Sequence, residues 1–151
     1  MNNILFYRSP LGTLRIGEDS GSLVSAAFVE DTPETAPSSA VLTEAKAWLD
    51  RYFAGRDPGP TPPLLPSGTP FQRAVWGALS PVPYGETVSY GALAARMGLS
   101  PSYARAVGAA LRANPLLLFI PCHRVIGRDG SPTGFAGGIE RKRILLETER
   151  F

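Results

Sequence analysis

The sequence predicts an α+β protein, in which a small N-terminal domain of β-sheet plus one helix precedes a mainly α-helical C-terminal domain with a helix-turn-helix. Three observations support this prediction. Short strand-like runs separated by turn residues fill the first thirty residues. Five prolines then interrupt the chain within residues 57–68. Beyond them, apolar residues recur at helical spacing between capping residues and terminal glycines.

The N-terminal strands are predicted at residues 4–7, 14–16 and 23–29, with turns at 9–12 and 21–22. An irregular loop follows at 30–39. Ser39 is expected to cap a helix that ends at Phe53. One face of this helix carries Val41, Ala45, Trp48, Leu49 and Tyr52. Residues 1–56 contain neither cysteine nor histidine, so we expect a supporting domain.

The proline-rich residues 57–68 are predicted to be an extended connector, and residues 69–151 to form a second domain. Thr69 and Pro70 resemble an N-cap followed by a first-turn proline. Phe71, Val75 and Leu79 then repeat at helical spacing.

The next two short helices give a helix-turn-helix outline. Ser89 or Tyr90 opens the first helix, which ends at Gly98. Ser100 caps the second, which ends at Asn114. Many paired helices that do not bind DNA share this outline.

The second of these helices carries small residues where a reader of the major groove presents hydrogen-bonding side chains. Only two of its side chains are long and polar, Arg105 and Arg112. A smooth helix suits the minor groove and sequence-independent binding. Packing against a core explains the small residues equally well, but it does not explain Arg105. The small residues are Ala104, Ala106, Gly108, Ala109 and Ala110.

Composition and charge restrict the functional class. The chain has 151 residues, 44% of them hydrophobic and 19% charged, which is ordinary for a globular protein. No apolar run reaches the roughly 18 residues of a membrane span, and residues 1–4 lack the basic start of a signal peptide. We therefore expect a cytoplasmic protein in a reduced, intracellular compartment. Residues 61–151 contain ten basic and five acidic side chains, which suggests an anionic partner, although an ordinary basic surface has the same signature.

The only cysteine, Cys122, is followed directly by the only histidine, His123. A thiol is nucleophilic as its thiolate, and a nearby imidazole is a common way to form that species. An inert buried cysteine is the ordinary alternative. One cysteine and one histidine form neither an internal disulfide nor a structural zinc site, so we expect no metal and no cofactor. Residues 116–120 are predicted to be a short buried strand or extended segment leading to Cys122.

The run Phe-Ile-Pro-Cys-His-Arg-Val-Ile at residues 119–126 resembles the signature of the O6-alkylguanine-DNA alkyltransferases. These proteins repair alkylated bases by moving the alkyl group onto their own cysteine. The resemblance covers residues 69–151 strongly and the first 55 loosely. Further matching segments, in the order and spacing of the family, are 71–72, 75–76, 83–91, 105–108, 114–115, 134–138 and 142–149.

The resemblance implies irreversible, single-turnover transfer of an alkyl group from O6-alkylguanine to Cys122 after base flipping, with O4-alkylthymine as a further candidate substrate. The implied partner is double-stranded DNA, bound through its minor groove without sequence preference. Arg105 matches the arginine that enters the base stack in place of the extruded nucleotide. The other expected DNA contacts are Tyr90, Gly91, Ala104, Ala106, Gly108, Ala109, Arg112 and Arg128.

The resemblance also assigns catalytic roles. His123 activates Cys122 through a bridging water, and Glu149, 27 residues after the cysteine, orients the imidazole. Sequence position alone leaves Glu147 as a competitor. Asn114 links the DNA helix to the active site, and Tyr90 is the candidate proton donor to the base.

The base pocket is expected beneath a lid formed by residues 134–138, with Phe135, Ala136 and Gly137 as substrate contacts. Phe135 replaces the usual tyrosine of the family, which keeps the ring and loses the hydroxyl. Val125 and Leu117 are expected to form an apolar wall. The last helix, residues 138–149, is predicted to turn Ile139, Ile144, Leu145 and Leu146 inward and Arg141, Lys142 and Arg143 outward.

Three other functional classes remain at this point. A non-catalytic lesion binder of the alkyltransferase-like kind would lack Cys122. A Cys-His hydrolase does not assemble its dyad from adjacent residues. A transcription regulator would carry base-reading side chains on its second helix.

Overall fold

The computed structural model describes residues 2–127 and 135–150 and divides the chain into two compact units, Met1–Ser67 and Gly68–Phe151. The predicted α+β class is confirmed. Among the described residues, no helix is long and apolar enough to cross a membrane.

The first unit is an antiparallel meander covered by one helix. Strands β1 (Asn2–Ser9), β2 (Gly12–Asp19) and β3 (Ser22–Val29) lie in sequence order. Helix α1 (Ala40–Phe53) packs against all three strands, and the Ser39 side chain caps it by accepting a hydrogen bond from the Leu42 amide. Leu42, rather than the predicted Val41, shares the buried face with Ala45, Trp48, Leu49 and Tyr52.

The proline-rich segment pairs with the edge of the sheet. The Leu23 amide donates to the Pro63 carbonyl, and the Leu65 amide donates to the Leu23 carbonyl, each at 2.8 Å. Leu64 therefore forms a short parallel bridge with Leu23. These bonds use backbone groups of β3 that an uncovered edge strand would expose.

The second unit begins with helices α2 (Pro70–Leu79), α3 (Tyr90–Arg96) and α4 (Ala104–Arg112). A capping box between Thr69 and Gln72 starts α2, and Ser89 caps α3. Ser100 caps a 3₁₀ turn, Pro101–Tyr103, that leads into α4. Helix α2 packs on α3 and α4, and the Trp76 indole donates to the Ala110 carbonyl at 2.9 Å.

Residues 116–120 are buried as predicted, but they form a turn with an isolated bridge between Leu117 and Ile120 and not a continuous strand. The Ile120 amide donates back to the Leu116 carbonyl at 2.9 Å, and Leu118 adopts a positive φ of 74°. Each residue of the turn is buried. A 3₁₀ turn, Cys122–Arg124, follows and leads into strand β5 (Val125–Ile126), which pairs in parallel with β4 (Val88–Ser89).

The final helix, α5 (Ile139–Glu149), buries Leu145 as predicted, but Ile144 and Leu146, which were also predicted to point inward, are only half-buried. Lys142, Leu145 and Glu149 are buried, whereas Ile139 is 57% exposed. Lys142 was predicted to point outward, but its ammonium donates a hydrogen bond to the Val125 carbonyl inside the unit. A specific polar partner therefore overrides the hydrophobic pattern.

Candidate active site

Asn114 fixes the connection between α4 and the cysteine. Its Oδ1 accepts from the Leu116 amide at 2.9 Å, which leaves Nδ2 to donate. Nδ2 donates to the Ile120 carbonyl and to Sγ of Cys122, both at 3.0 Å. One buried side chain thus closes the 116–120 turn and contacts the sulfur. A donor aimed at sulfur favours the thiolate over the thiol.

The sulfur of Cys122 lies in an environment that opposes its ionisation. The side chain is buried, and burial raises the pKa of the Cys122 thiol to about 11, although the Asn114 hydrogen bond and the Lys142 charge act in the opposite direction. A pKa raised in this way favours the protonated thiol at neutral pH.

His123 and Arg124 converge on the carboxylate of Glu149. The Nε2 atom of His123 lies 2.5 Å from Oε2 of Glu149, and Arg124 donates through Nε to Oε1 at 2.7 Å. The Gly85 amide also donates to Oε1, at 3.1 Å. The Nη1 atom of Arg124 donates a hydrogen bond to the Val82 carbonyl. Glu149 therefore links the end of α5 to the cysteine turn and to the loop before β4.

The protonation states follow from these contacts. Burial alone would raise the pKa of Glu149, but the hydrogen bonds from His123 and Arg124 and the charge of Arg124 outweigh it and leave the pKa well below its usual value. Burial lowers the pKa of His123 and outweighs the opposing effect of Glu149. A neutral imidazole that donates from Nε2 to the carboxylate has Nδ1 as its basic nitrogen.

The structure shows which of the two candidate glutamates contacts the imidazole of His123. Glu149 is buried against His123, whereas Glu147 lies on the exposed side of α5, where it pairs with Arg143. Arg124 was not identified from the sequence as a site residue, although its place directly after His123 was a signal.

A small pocket is lined in part by Cys122. The Phe135 ring stands edge-on to the His123 ring, with centroids 6.4 Å apart. The expected wall of Leu117 and Val125 is buried but does not line this pocket, and Leu111 provides its aliphatic side instead. Among the described residues, its lining is Tyr90, Gly108, Leu111, Arg112, Cys122 and Phe135.

The remaining lid residues lie beside the pocket without lining it. Ala136 is exposed and Gly137 is half-buried. Gly134 lies outside the described residues, as does Arg128, an expected DNA contact.

The outer face of α4 is exposed and carries a positive side chain at each end. Arg105 and Arg112 are exposed, with the small exposed side chains Ala106 and Ala109 between them. Ala104 on α4 and Gly91 on α3 are half-buried.

Gly108 differs from its expected position because it is buried. A Cβ atom at Gly108 would lie 3.7 Å from the Tyr90 ring, so this glycine belongs to the pocket and not to the outer face. Tyr103, which directly precedes α4, is 46% exposed and was not predicted as a contact.

Lys142 is the principal site residue that sequence reasoning missed. Its side chain is 0% exposed, and its ammonium donates to the Val125 carbonyl. Burial lowers the pKa of Lys142 to about 8, while Cys122 acts to raise it. One signal was available, since Lys142 is the single lysine among the ten basic residues of 61–151.

Two family models match this chain, one in each of its two units. The 6-O-methylguanine DNA methyltransferase DNA binding domain matches residues 70–151, and the ribonuclease-like domain of the same name matches residues 5–62. A methylated-DNA–protein-cysteine methyltransferase of Haemophilus influenzae is 40% identical over 152 residues, covering 96% of this chain and 84% of the relative. One from Mycobacterium tuberculosis H37Rv is 43% identical over 155 residues, covering 97% and 93%.

Solved structures are also similar to this chain over nearly all of its length. The crystal structure of Mycobacterium tuberculosis OGT in complex with DNA is 41% identical, with a TM-score of 0.86, covering 96% of this chain and 91% of that one. The crystal structure of the O6-methylguanine methyltransferase from the same organism has a TM-score of 0.86 at 40% identity, covering 99% of this chain and 93% of that one.

The buried carboxylate makes a testable contribution to stability. Glu149→Gln leaves Arg124 without its charged partner, and breaking a buried pair typically costs about 3–5 kcal/mol. Because the folded pKa of Glu149 lies below its unfolded value, this stabilisation is present above pH ~4.3 and is lost as the pH falls through the folded pKa. Denaturant unfolding should therefore show a large difference at pH 7 that shrinks toward pH 3.

The matched control is Glu147→Gln, two residues away on the exposed side of α5. It should change the free energy of unfolding by no more than about 1 kcal/mol. Equal effects of the two substitutions, or a Glu149→Gln effect independent of pH, would contradict the structural role of the buried carboxylate.

Proposed function

The chain belongs to the 6-O-methylguanine DNA methyltransferase family, and from this membership we propose that it repairs DNA by transferring the alkyl group of O6-alkylguanine to Cys122. The resemblance inferred from the cysteine motif is confirmed. One observation carries the assignment of the acceptor. The only cysteine of the chain opens onto a pocket beside a buried His123–Glu149 pair.

The chemical step is a displacement at carbon. The Cys122 thiolate attacks the alkyl carbon, a carbon–sulfur bond forms, and the bond from that carbon to O6 breaks with its electron pair left on guanine. The guanine then takes up one proton. The thiol has lost one proton, so the protons balance. The reaction balances without any oxidant, reductant or external cofactor.

The His123–Glu149 pair supplies the route for the proton. His123 accepts the thiol proton at Nδ1, through a bridging water, and the anionic Glu149 stabilises the imidazolium that forms. Arg124 and the Gly85 amide keep the carboxylate in place. Tyr90 lines the pocket and is proposed to donate a hydrogen bond to the departing guanine.

DNA approaches along the outer face of α4. The exposed Arg105 fills the gap in the base stack after the damaged nucleotide has been extruded into the pocket. The small side chains Ala106 and Ala109 admit the helix to the minor groove and read no bases, so binding is independent of sequence. Phe135 provides a ring for stacking on the base. The same chemistry extends to O4-alkylthymine, which also carries its alkyl group on an exocyclic oxygen.

Each molecule acts once. A thioether is chemically stable, and the chain has no second cysteine to exchange with it. A free thiol nucleophile also needs a reducing compartment, which supports action inside the cell. We assign residues 69–151 to DNA binding and catalysis, 57–68 to the connector, and 1–56 to a supporting role, because the first 68 residues contain neither cysteine nor histidine.

Replacement of the nucleophile tests the proposed function. Cys122→Ala and Cys122→Ser should abolish alkyl transfer from duplex DNA that contains O6-methylguanine, while DNA affinity in a gel-shift titration should change little. Affinity comes mainly from phosphate contacts elsewhere on the protein. Stoichiometric transfer by the alanine variant would show that Cys122 is not the acceptor.

Arg105 should matter for duplex DNA and not for a free base. Arg105→Ala should slow repair of the duplex far more than reaction with free O6-benzylguanine, which needs no extrusion. Flipping costs a few kcal/mol, so the difference between the substrates could reach on the order of a hundredfold. Arg96→Ala, an equal charge loss at an exposed site on α3, is the control. Equal loss on both substrates for Arg105→Ala would mean that Arg105 supports the active site instead.

Alkylation should destabilise the used protein. A permanent alkyl group on the buried sulfur crowds Asn114, which connects the cysteine to the turn after α4. Overpacking of this kind typically costs about 1–3 kcal/mol. We expect the benzylated protein to melt several degrees below the free form, with the methylated form between them, and to release DNA. Cys122→Ser treated with the same alkyl donors should not shift, and an unchanged melting temperature of the alkylated wild type would contradict this mechanism.

A further inference from the structure

Tyr103 is a bulky exposed residue next to the small side chains of α4. It directly precedes the helix and is 46% exposed, whereas the exposed residues that follow include Ala106 and Ala109. Among the described residues, its side chain takes part in no hydrogen bond, ion pair or aromatic contact. An exposed aromatic ring that serves no internal contact is typical of a surface that binds a partner.

The backbone that carries Tyr103 is held by local hydrogen bonds. The Ser100 hydroxyl accepts from the Ser102 amide at 3.2 Å, and the Tyr103 amide donates to the Ser100 carbonyl at 3.0 Å. Pro101, at the first position of the 3₁₀ turn, restricts the backbone further. The ring is therefore carried by a preorganised turn, which lowers the entropy lost when the ring makes a contact.

The location of Tyr103 relates it to the outer face of α4. The 3₁₀ turn that ends at Tyr103 runs directly into the helix, and residues three apart on a helix are neighbours, so Tyr103 adjoins the exposed Ala106. Helical side chains lean toward the N-terminus, which directs the ring toward the leading end of α4. A groove that receives Ala106 would therefore meet the Tyr103 ring at its wall.

We propose that Tyr103 is a DNA-binding residue whose ring packs against the deoxyribose wall of the minor groove and holds α4 in place. This inference rests on the proposed approach of DNA along α4. Arg105 and Arg112 supply the positive charge of the exposed face, and Tyr103 adds an apolar contact. Deoxyribose carries no sequence information, so such a contact agrees with binding that is independent of sequence.

The first test measures affinity for an undamaged duplex by fluorescence anisotropy. Tyr103→Ala should weaken binding on the order of tenfold, because an aromatic contact is lost. Tyr103→Phe keeps the ring and should bind within about twofold of the wild type. The dependence of affinity on salt should be the same for all three proteins, because an apolar contact releases no counterions.

The second test separates binding from the later steps. With limiting duplex that contains O6-methylguanine, Tyr103→Ala should repair more slowly in proportion to its lost affinity. With saturating duplex, and with free O6-benzylguanine, its rate should equal that of the wild type. A structural defect of the unit would slow all three reactions, so this comparison distinguishes a DNA contact from a role in folding.

Leu65→Ala is the matched control, because Leu65 is an apolar residue that is 63% exposed in the other unit. It should leave duplex affinity unchanged, and the melting temperatures of all variants should agree with that of the wild type. Wild-type affinity of Tyr103→Ala would overturn the proposal. A Tyr103→Phe variant that binds as weakly as Tyr103→Ala would also overturn it, since the hydroxyl and not the ring would then make the contact.

The two tests also distinguish this inference from the proposed function. If the wild type binds an undamaged duplex and the ring contributes as expected, but no alkyl group is transferred, the proposed function is wrong and the DNA contact stands. If alkyl transfer occurs while Tyr103→Ala binds and repairs as the wild type does, the proposed function stands and the role of Tyr103 is wrong.

Discussion

The active-site unit depends on one constraint, which is that a thiol buried in protein must become an anion to react. Burial protects Cys122 and shapes a pocket around it, but the same burial raises the pKa of the thiol. The Asn114 hydrogen bond and the Lys142 charge act against this rise in pKa, and we propose that His123 serves as the base. These three side chains come from the end of α4, from α5 and from the cysteine turn itself, so the fold of the unit and the reactivity of the sulfur are set together.

Glu149 connects this chemistry to the rest of the unit. Its two oxygens are bound by His123, Arg124 and the Gly85 amide, which fixes the end of α5 against the cysteine turn and the loop before β4. Asn114 does the same on the other side, because it bonds to the sulfur and to both ends of the turn that follows α4. Helix α4 and Cys122 are therefore joined through the hydrogen bonds of one side chain, Asn114.

Much of this architecture could be predicted from the sequence. The three strands, the helix caps at Ser39, Thr69, Ser89 and Ser100, and the adjacency of Cys122 and His123 depend on local residue patterns. The errors arose where tertiary contacts outweigh those patterns. The Lys142 side chain lies inside the unit because its ammonium donates a hydrogen bond to the Val125 carbonyl and lies near the Tyr90 ring. The 116–120 segment forms a turn because the Asn114 side chain forms hydrogen bonds with both of its ends. The pocket wall at Leu111 depends on how α4 packs, which periodicity alone does not fix.

We propose that Cys122 is the sole acceptor of the alkyl group and accepts it once. The most direct measurement is peptide mapping by mass spectrometry after incubation with excess duplex DNA that carries a deuterium-labelled methyl group on O6 of guanine. We expect one label per protein molecule, confined to the peptide that contains Cys122, with an equal amount of unmodified guanine restored in the DNA. A label on any other residue, more than one label per molecule, or restored guanine without a labelled protein would contradict it.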